Sequence, residues 1–169
     1  MSQGPRYRMP FKRRRLGITD YRKRKKLLKS RKIRAIIRRS LKYITVQFAK
    51  YDEKGDHIIL GVTSKELEKY GWNGSKDTVP AAYLTGILAG KRAIEKGINE
   101  CIPDIGRYTA SRGSRVFAVV KGLIDAGLRC PCDESVFPSE DRIKGEHLPK
   151  KPDTDVFEIR SRIMGEKDG

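Results

Sequence analysis

Apolar and polar positions alternate along part of the first half of this chain, then give way to a helical period. Ile33, Ala35 and Ile37 alternate with Arg34, Ile36 and Arg38 as in a strand, although so short a run also admits a helix. Ile44, Val46 and Phe48 alternate with Thr45 and Gln47, and Asp52-Glu53-Lys54-Gly55 supplies a turn. Ile58, Leu60 and Val62 alternate beyond it, which predicts a β-hairpin. After a loop at Tyr70-Gly71-Trp72-Asn73-Gly74-Ser75, Pro80 marks a helix start. Tyr83, Ile87, Gly90 and Ile94 form one stripe of that helix, with Thr85, Arg92 and Lys96 opposite. Gly86, Gly90 and Ala93 keep part of its surface low, so that another element can approach, and Gly97 stops it. Ile98 to Ile105 reads as a short strand that Pro103 confines to an edge or to its end. A second helix follows, with Val116, Val119, Val120, Leu123 and Ile124 inward and Arg115, Lys121 and Asp125 outward. Gly127 ends it, and Leu128 to Cys132 reads as a last strand. Three strands, a helix, a strand, a helix and a strand make a layered α/β domain with no internal repeat.

Both ends read differently. Residues 1–18 carry Gly4, Pro5, Pro10 and Gly17 among the basic side chains Arg6, Arg8, Lys12, Arg13, Arg14 and Arg15. Repeated breakers and few apolar residues predict a stretch that is extended, and disordered when alone. A helix over about 19–31 can start at Thr19-Asp20, where a side-chain oxygen caps the first turn. Its run from Tyr21 to Lys29 suffers i,i+4 like-charge repulsion, which phosphates would relieve. The polar residues 136–169, with Pro138, Pro149 and Pro152, predict short helices on the surface. The expected organisation is a basic arm over 1–32, a globular α/β domain over 33–135 and a polar C-terminal segment over 136–169.

Charge sharpens that division. The 169 residues carry a net charge of +17. Residues 1–42 hold 18 of the 38 basic side chains and one acidic residue, Asp20, so they account for all of it. The other 127 residues have 20 charges of each sign and are neutral. A one-ended field of this strength points to a polyanion, either nucleic acid or an anionic membrane surface. It excludes an acidic solvating protein and argues against a uniformly basic packaging protein. The arm should end near Lys32, with Arg34, Arg38, Arg39 and Lys42 decorating the first strand and its turn.

The membrane reading fares worse of the two. The arm's apolar anchors are only Phe11, Leu16 and the Leu27-Leu28 pair. The stretch Val79–Gly90 is too short to cross a bilayer, which needs roughly 20 apolar residues. No apolar segment or small-residue cleavage site follows the basic N-terminus, so no secretory signal is expected. An organellar transit peptide is the harder alternative, but Gly4, Pro5, Pro10 and sparse serine suit an ordered or RNA-bound arm better. Cys101, Cys130 and Cys132 make no disulfide framework, and a reducing cytosol is expected.

Nucleic acid is therefore the expected partner. The candidate contacts are Arg6, Arg8, Lys12, Arg13, Arg14, Arg15, Arg22, Lys23, Arg24, Lys25, Lys26, Lys29, Arg31 and Lys32, with Arg112 in the basic loop 106–115. Arginine matches phosphate oxygens bidentately and stacks on bases, and Tyr7, Phe11 and Tyr21 offer further stacking surfaces. A solubilising tail would need no such excess of cations over anions. Zinc-finger spacing and a basic region leading into heptads are both missing, and an arm that orders on binding suits folded RNA. The competing readings are a general basic DNA-binding protein and a metal-dependent nucleic-acid enzyme. For the enzyme, the nearest carboxylate cluster is Asp52, Glu53 and Asp56, which reads as exposed turn acids; Asp104 and Asp125 stand alone. Cys130-x-Cys132, with Cys101, His57 and His147, lacks the paired spacing of a zinc site. Ser111-Arg112-Gly113-Ser114 lacks the Gly-Lys pair of a phosphate loop, and no nucleophile stands beside a base. No catalytic residue, metal, cofactor or small-molecule substrate is expected.

Two stretches carry a family resemblance. One runs from Arg13-Arg14-Arg15 through Thr19-Asp20-Tyr21-Arg22-Lys23-Arg24 to Leu27-Leu28 and Ser30-Arg31-Lys32. The other is Tyr70-Gly71-Trp72, then Pro80-Ala81-Ala82-Tyr83-Leu84-Thr85-Gly86 and Ala89-Gly90-Lys91. With Asp104-Ile105-Gly106 and Gly113-Ser114-Arg115-Val116-Phe117-Ala118 downstream, the chain resembles the large-subunit ribosomal protein L-eighteen family in its archaeal form, from about residue 5 to residue 150. The resemblance implies binding to 5S rRNA, contact with the large rRNA and neighbouring proteins of the central protuberance, and a cytoplasmic place in the large ribosomal subunit. It implies a mixed-sheet, two-layer or three-layer α/β domain of ribonuclease-H-like type without nuclease activity, and makes Ile33 to Ile37 a strand. It maps the family's basic arm onto Arg6 to Lys32. The chain ends soon after residue 160, without the long basic extension of eukaryotic relatives, which favours an archaeal source. Arg107 departs from the apolar residue expected after Asp-Ile-Gly.

Overall fold

The computed structural model describes residues 4–149 and 154–165. Residues 1–3 of the stretch expected to be extended, and 150–153 and 166–169 of the C-terminal segment, lie outside the described residues. Strands β1 (Arg34–Arg39), β2 (Ile44–Lys50) and β3 (His57–Thr63) form an antiparallel meander. A 3-10 helix (Ser64–Tyr70) and helix α3 (Val79–Glu95) then carry the chain across to β4 (Ile102–Asp104), which pairs parallel to β1. Parallel neighbours require such a crossover, and the result is a mixed four-stranded sheet in the order β3-β2-β1-β4. This settles the ambiguity at Ile33–Ile37 in favour of a strand.

One face of the sheet carries the core. Ala35 stands opposite Phe48 and Ile37 opposite Val46, and all four are fully buried against α3 and α4 (Arg115–Asp125). The low surface expected on α3 has α4 as its partner. A Cβ at Gly86 would lie 2.3 Å from the Val119 carbonyl oxygen, and one at Gly122 would lie 2.3 Å from that of Tyr83. Backbones this close admit only glycine.

Several expectations need correction. Thr85 is not on a polar face. It is fully buried and donates its hydroxyl to the Ala81 carbonyl at 2.6 Å, while Ile94, placed on the apolar stripe, is 38% exposed. The buried surface is wider than that stripe because α3 is covered by the sheet, by α4 and by the C-terminal helix (Val156–Met164), and is buried from Val79 through Gly90. The C-terminal residues Ile143, Val156, Ile159 and Ile163 are also buried in the core, so this segment is not merely a surface addition. Leu128–Cys132 makes no full strand, only a bridge in which Cys101 N donates to Arg129 O and Arg129 N to Asn99 O. Pro131, with no N–H, cannot extend that ladder.

The N-terminal segment is more structured than its breakers suggest. Lys12–Arg15 makes one helical turn, α1, inside the stretch expected to be extended. Helix α2 runs over Tyr21–Leu28 and is shorter than the 19–31 expected. Asp20 caps it, accepting from the amides of Arg22 (2.9 Å) and Lys23 (3.2 Å). Arg31, in the left-handed conformation at φ +55°, turns the chain away toward β1.

Candidate nucleic-acid interface

Helix α2 sorts its residues by charge. Tyr21, Arg24, Leu27 and Leu28 are half-buried toward the domain, and Arg22, Lys23, Lys25 and Lys26 are exposed. Lys29 and Arg31 continue the exposed set beyond the helix. Around α1, Arg6, Arg8, Lys12, Arg13, Arg14 and Arg15 are also exposed, and Arg13 Nε donates to Thr19 Oγ1 at 2.9 Å. The rings of Phe11 and Tyr21 meet at 5.6 Å, tilted by 47°, so the start of α1 folds back on the start of α2. Lys32 is exposed but ion-paired to Glu100. Arg112 is exposed on the loop before α4, away from this segment in sequence.

Arg24 is the one half-buried cation among the candidate contacts. Its Nη2 donates to both carboxylate oxygens of Asp56, at 3.0 and 2.9 Å. Asp56 is therefore not a free turn acid, because its Oδ2 also lies 2.7 Å from Nη2 of Arg34. Arg34 does not decorate the strand as expected: its side chain is 1% exposed. Its Nη1 donates to Asp104 Oδ2 at 3.0 Å, while Nη2 is not aligned for a hydrogen bond and Nε has no partner. Asp104 does not stand alone either. It accepts from the Gly106 amide at 2.9 Å and lies 3.5 Å from Arg38 Nη2, and Arg38 Nη1 donates to its carbonyl. Three guanidinium groups thus share two carboxylates in a chain running from α2 through the start of β3 and β1 to β4. Burial pushes the Asp56 carboxyl up, but the contacts of Arg34 and Arg24 outweigh it and hold the group below the usual carboxylate value.

A groove of about 460 Å³ lies between this segment and the sheet edge, with Lys23, Arg24 and Leu27 on one wall and Pro103, Ile105 and Arg107 on the other. Arg107, the departure from the family pattern, reaches across it. Its Nη1 lies 2.5 Å from where a Cβ on Gly17 would be, and Gly17 turns there at φ +65°. Beside it, Arg39 lies 5.1 Å over the Tyr108 ring, whose hydroxyl donates to Arg39 O at 2.8 Å. Among the described residues, no three His, Cys, Asp or Glu side chains converge as metal ligands, and no helix is long and apolar enough to cross a membrane. Asp125 does not stand alone; it accepts from the Tyr83 hydroxyl. The three cysteines are free: Cys101 and Cys130 are buried, and Cys132 is half-buried.

A cation-rich face with its few acids turned inward is suited to a polyanion. The model of the family described as ribosomal large subunit proteins 60S L5 and 50S L18 matches residues 5–101. The chain belongs to that family. It is 51% identical over 148 residues to large ribosomal subunit protein uL18 of Korarchaeum cryptofilum, covering 88% of this chain and 76% of the relative. The uL18 of Methanothrix thermoacetophila is 48% identical over 169 residues, which is 98% of this chain and 100% of the relative. That of Thermofilum pendens is 45% identical over 166 residues, or 95% and 85% of the two chains. A member of this family is a structural protein of the large ribosomal subunit and not an enzyme, so the enzyme and general DNA-binding alternatives fall away.

Proposed function

We propose that the chain binds 5S rRNA and helps attach it to the large rRNA in the central protuberance, beside neighbouring ribosomal proteins. The basic segment up to Lys32 acts as the RNA-binding arm and the remaining α/β unit as the body that fixes its origin. The observation that carries this reading is the outward face of α2, where Arg22, Lys23, Lys25 and Lys26 are exposed together and have no ion pair among the described residues. Phosphates neutralise such a face and relieve the repulsion along it. The sheet order β3-β2-β1-β4, with a further parallel bridge at Arg129, supports a body of ribonuclease-H-like type.

The test is binding of the full chain to 5S rRNA at fixed salt, with Lys23, Lys25 and Lys26 changed together to Gln. Each lost phosphate contact lowers the log–log salt slope by about 0.7–0.9, so three should lower it by about 2.1–2.7. Affinity should fall at least tenfold at low salt. A triple variant that binds as tightly as the parent refutes the assignment of α2 to RNA.

A further inference from the structure

Arg24 sits in the middle of the basic helix, yet it faces inward onto a carboxylate. Among the described residues, Arg24–Asp56 is the only ion pair that α2 makes. Asp56 is held in turn by the fully buried Arg34, which Asp104 and the β4 edge lock in place. Helix α2 is eight residues long and has four cations on its outward side. A helix this short, carrying that repulsion, does not hold itself together in water. The inward stripe of Tyr21, Arg24, Leu27 and Leu28 must therefore be fixed from the domain side.

We propose that Asp56 is a positioning residue for RNA: through Arg24 it docks α2 in one orientation on the sheet, so that the exposed cations form a ready-made face before RNA arrives. This inference rests on the reading of α2 as an RNA contact. It makes Arg24 a tether instead of a phosphate ligand. Its charge is already neutralised by Asp56, so on RNA binding it releases no counterion. Coulomb's law alone gives the opposite expectation for Asp56, since deleting an anion beside a phosphate-binding face should tighten RNA binding. Loss of preorganisation instead loosens it, because the helix must then be ordered at the moment of binding.

The experiment compares full-length Asp56→Asn, Arg24→Gln and Lys26→Gln with the parent on 5S rRNA across a salt series. Asp56→Asn should bind about tenfold more weakly despite the gain in net positive charge. Arg24→Gln should weaken binding similarly with an unchanged salt slope, whereas Lys26→Gln should lower the slope by about 0.7–0.9. Amide exchange on the free proteins gives a second readout. Both Asp56→Asn and Arg24→Gln should speed exchange over residues 21–28 while β1 and β2 stay protected. Should Asp56→Asn fail to fold, Arg24→Gln carries the test, since it leaves the Arg34–Asp56 and Arg34–Asp104 pairs intact. Equal or tighter RNA binding by Asp56→Asn overturns the proposal, and so does a slope reduced by a full phosphate in Arg24→Gln. If the parent ignores 5S rRNA, the functional reading fails by itself, and unchanged α2 exchange in Asp56→Asn then overturns the docking.

Discussion

Tyr83 donates its hydroxyl to Asp125 Oδ2 at 2.8 Å, tying α3 to α4 on a residue that is only 1% exposed. Burial pushes the phenol up, and the bond to Asp125 pushes it further. A group whose folded value is raised contributes stability that is complete below its unfolded value and is lost as pH climbs toward the folded one. Stability should therefore begin to fall above about pH 10, where the unfolded phenol ionises and the folded one does not. Tyr83→Phe should cost about 1 kcal/mol at neutral pH and remove this part of the alkaline loss. Denaturant titrations of both proteins at pH 7 and pH 10.5 check the two statements, and parallel pH profiles would contradict the second. The pairing was not legible in the sequence. Tyr83 stood on an apolar stripe and Asp125 on an outward face, and their meeting depends on the angle at which two helices cross. Arg34 was obscured for a similar reason. Alternation placed it with Arg38 on a polar face, and the carboxylate that accepts from it lies 70 residues away at Asp104.

At the level of elements, the hairpin and both long helices were legible, because each has one dominant period and a glycine or proline at its end. Leu128–Cys132 failed because strand propensity cannot show that a ladder is short of donors, and Lys12–Arg15 because breakers on either side hid a single turn. The glycines of α3 carried more information than its apolar stripe. Gly86 and Gly122 face each other, and a Cβ at Gly86 would also lie 3.0 Å from the Gly122 Cα. Backbone cannot yield as the end of a flexible side chain can. Gly86→Ala should therefore push the helices apart and destabilise the fold by about 2–4 kcal/mol, despite the better helix propensity of alanine. Gly97→Ala is the control, since it has open space around it and only its positive φ to oppose the change. Thermal unfolding should rank Gly86→Ala well below Gly97→Ala. The reverse order would mean that the crossing relaxes freely.

For the whole molecule, one asymmetry organises everything else: all the net charge lies in residues 1–42, and acids from the neutral remainder reach back to hold a few of those cations. Composition made the asymmetry legible but not its partition. Asp56, Glu100 and Asp104 pair with Arg24, Lys32 and Arg34, and no local pattern marks which basic residues are so engaged. Between Lys12 and Arg31, the described residues retain ten cations without an ion pair, namely Lys12, Arg13, Arg14, Arg15, Arg22, Lys23, Lys25, Lys26, Lys29 and Arg31. If each neutralises one phosphate, the log–log slope of 5S rRNA affinity against salt should be about −7 to −9. If only the five from Arg22 to Lys29 engage, it should be about −3.5 to −4.5. The fold-back of Phe11 on Tyr21 brings α1 beside α2, which favours the larger figure. A salt series on the full chain decides between them, and a slope shallower than about −3 would remove phosphate neutralisation by this segment as the source of affinity.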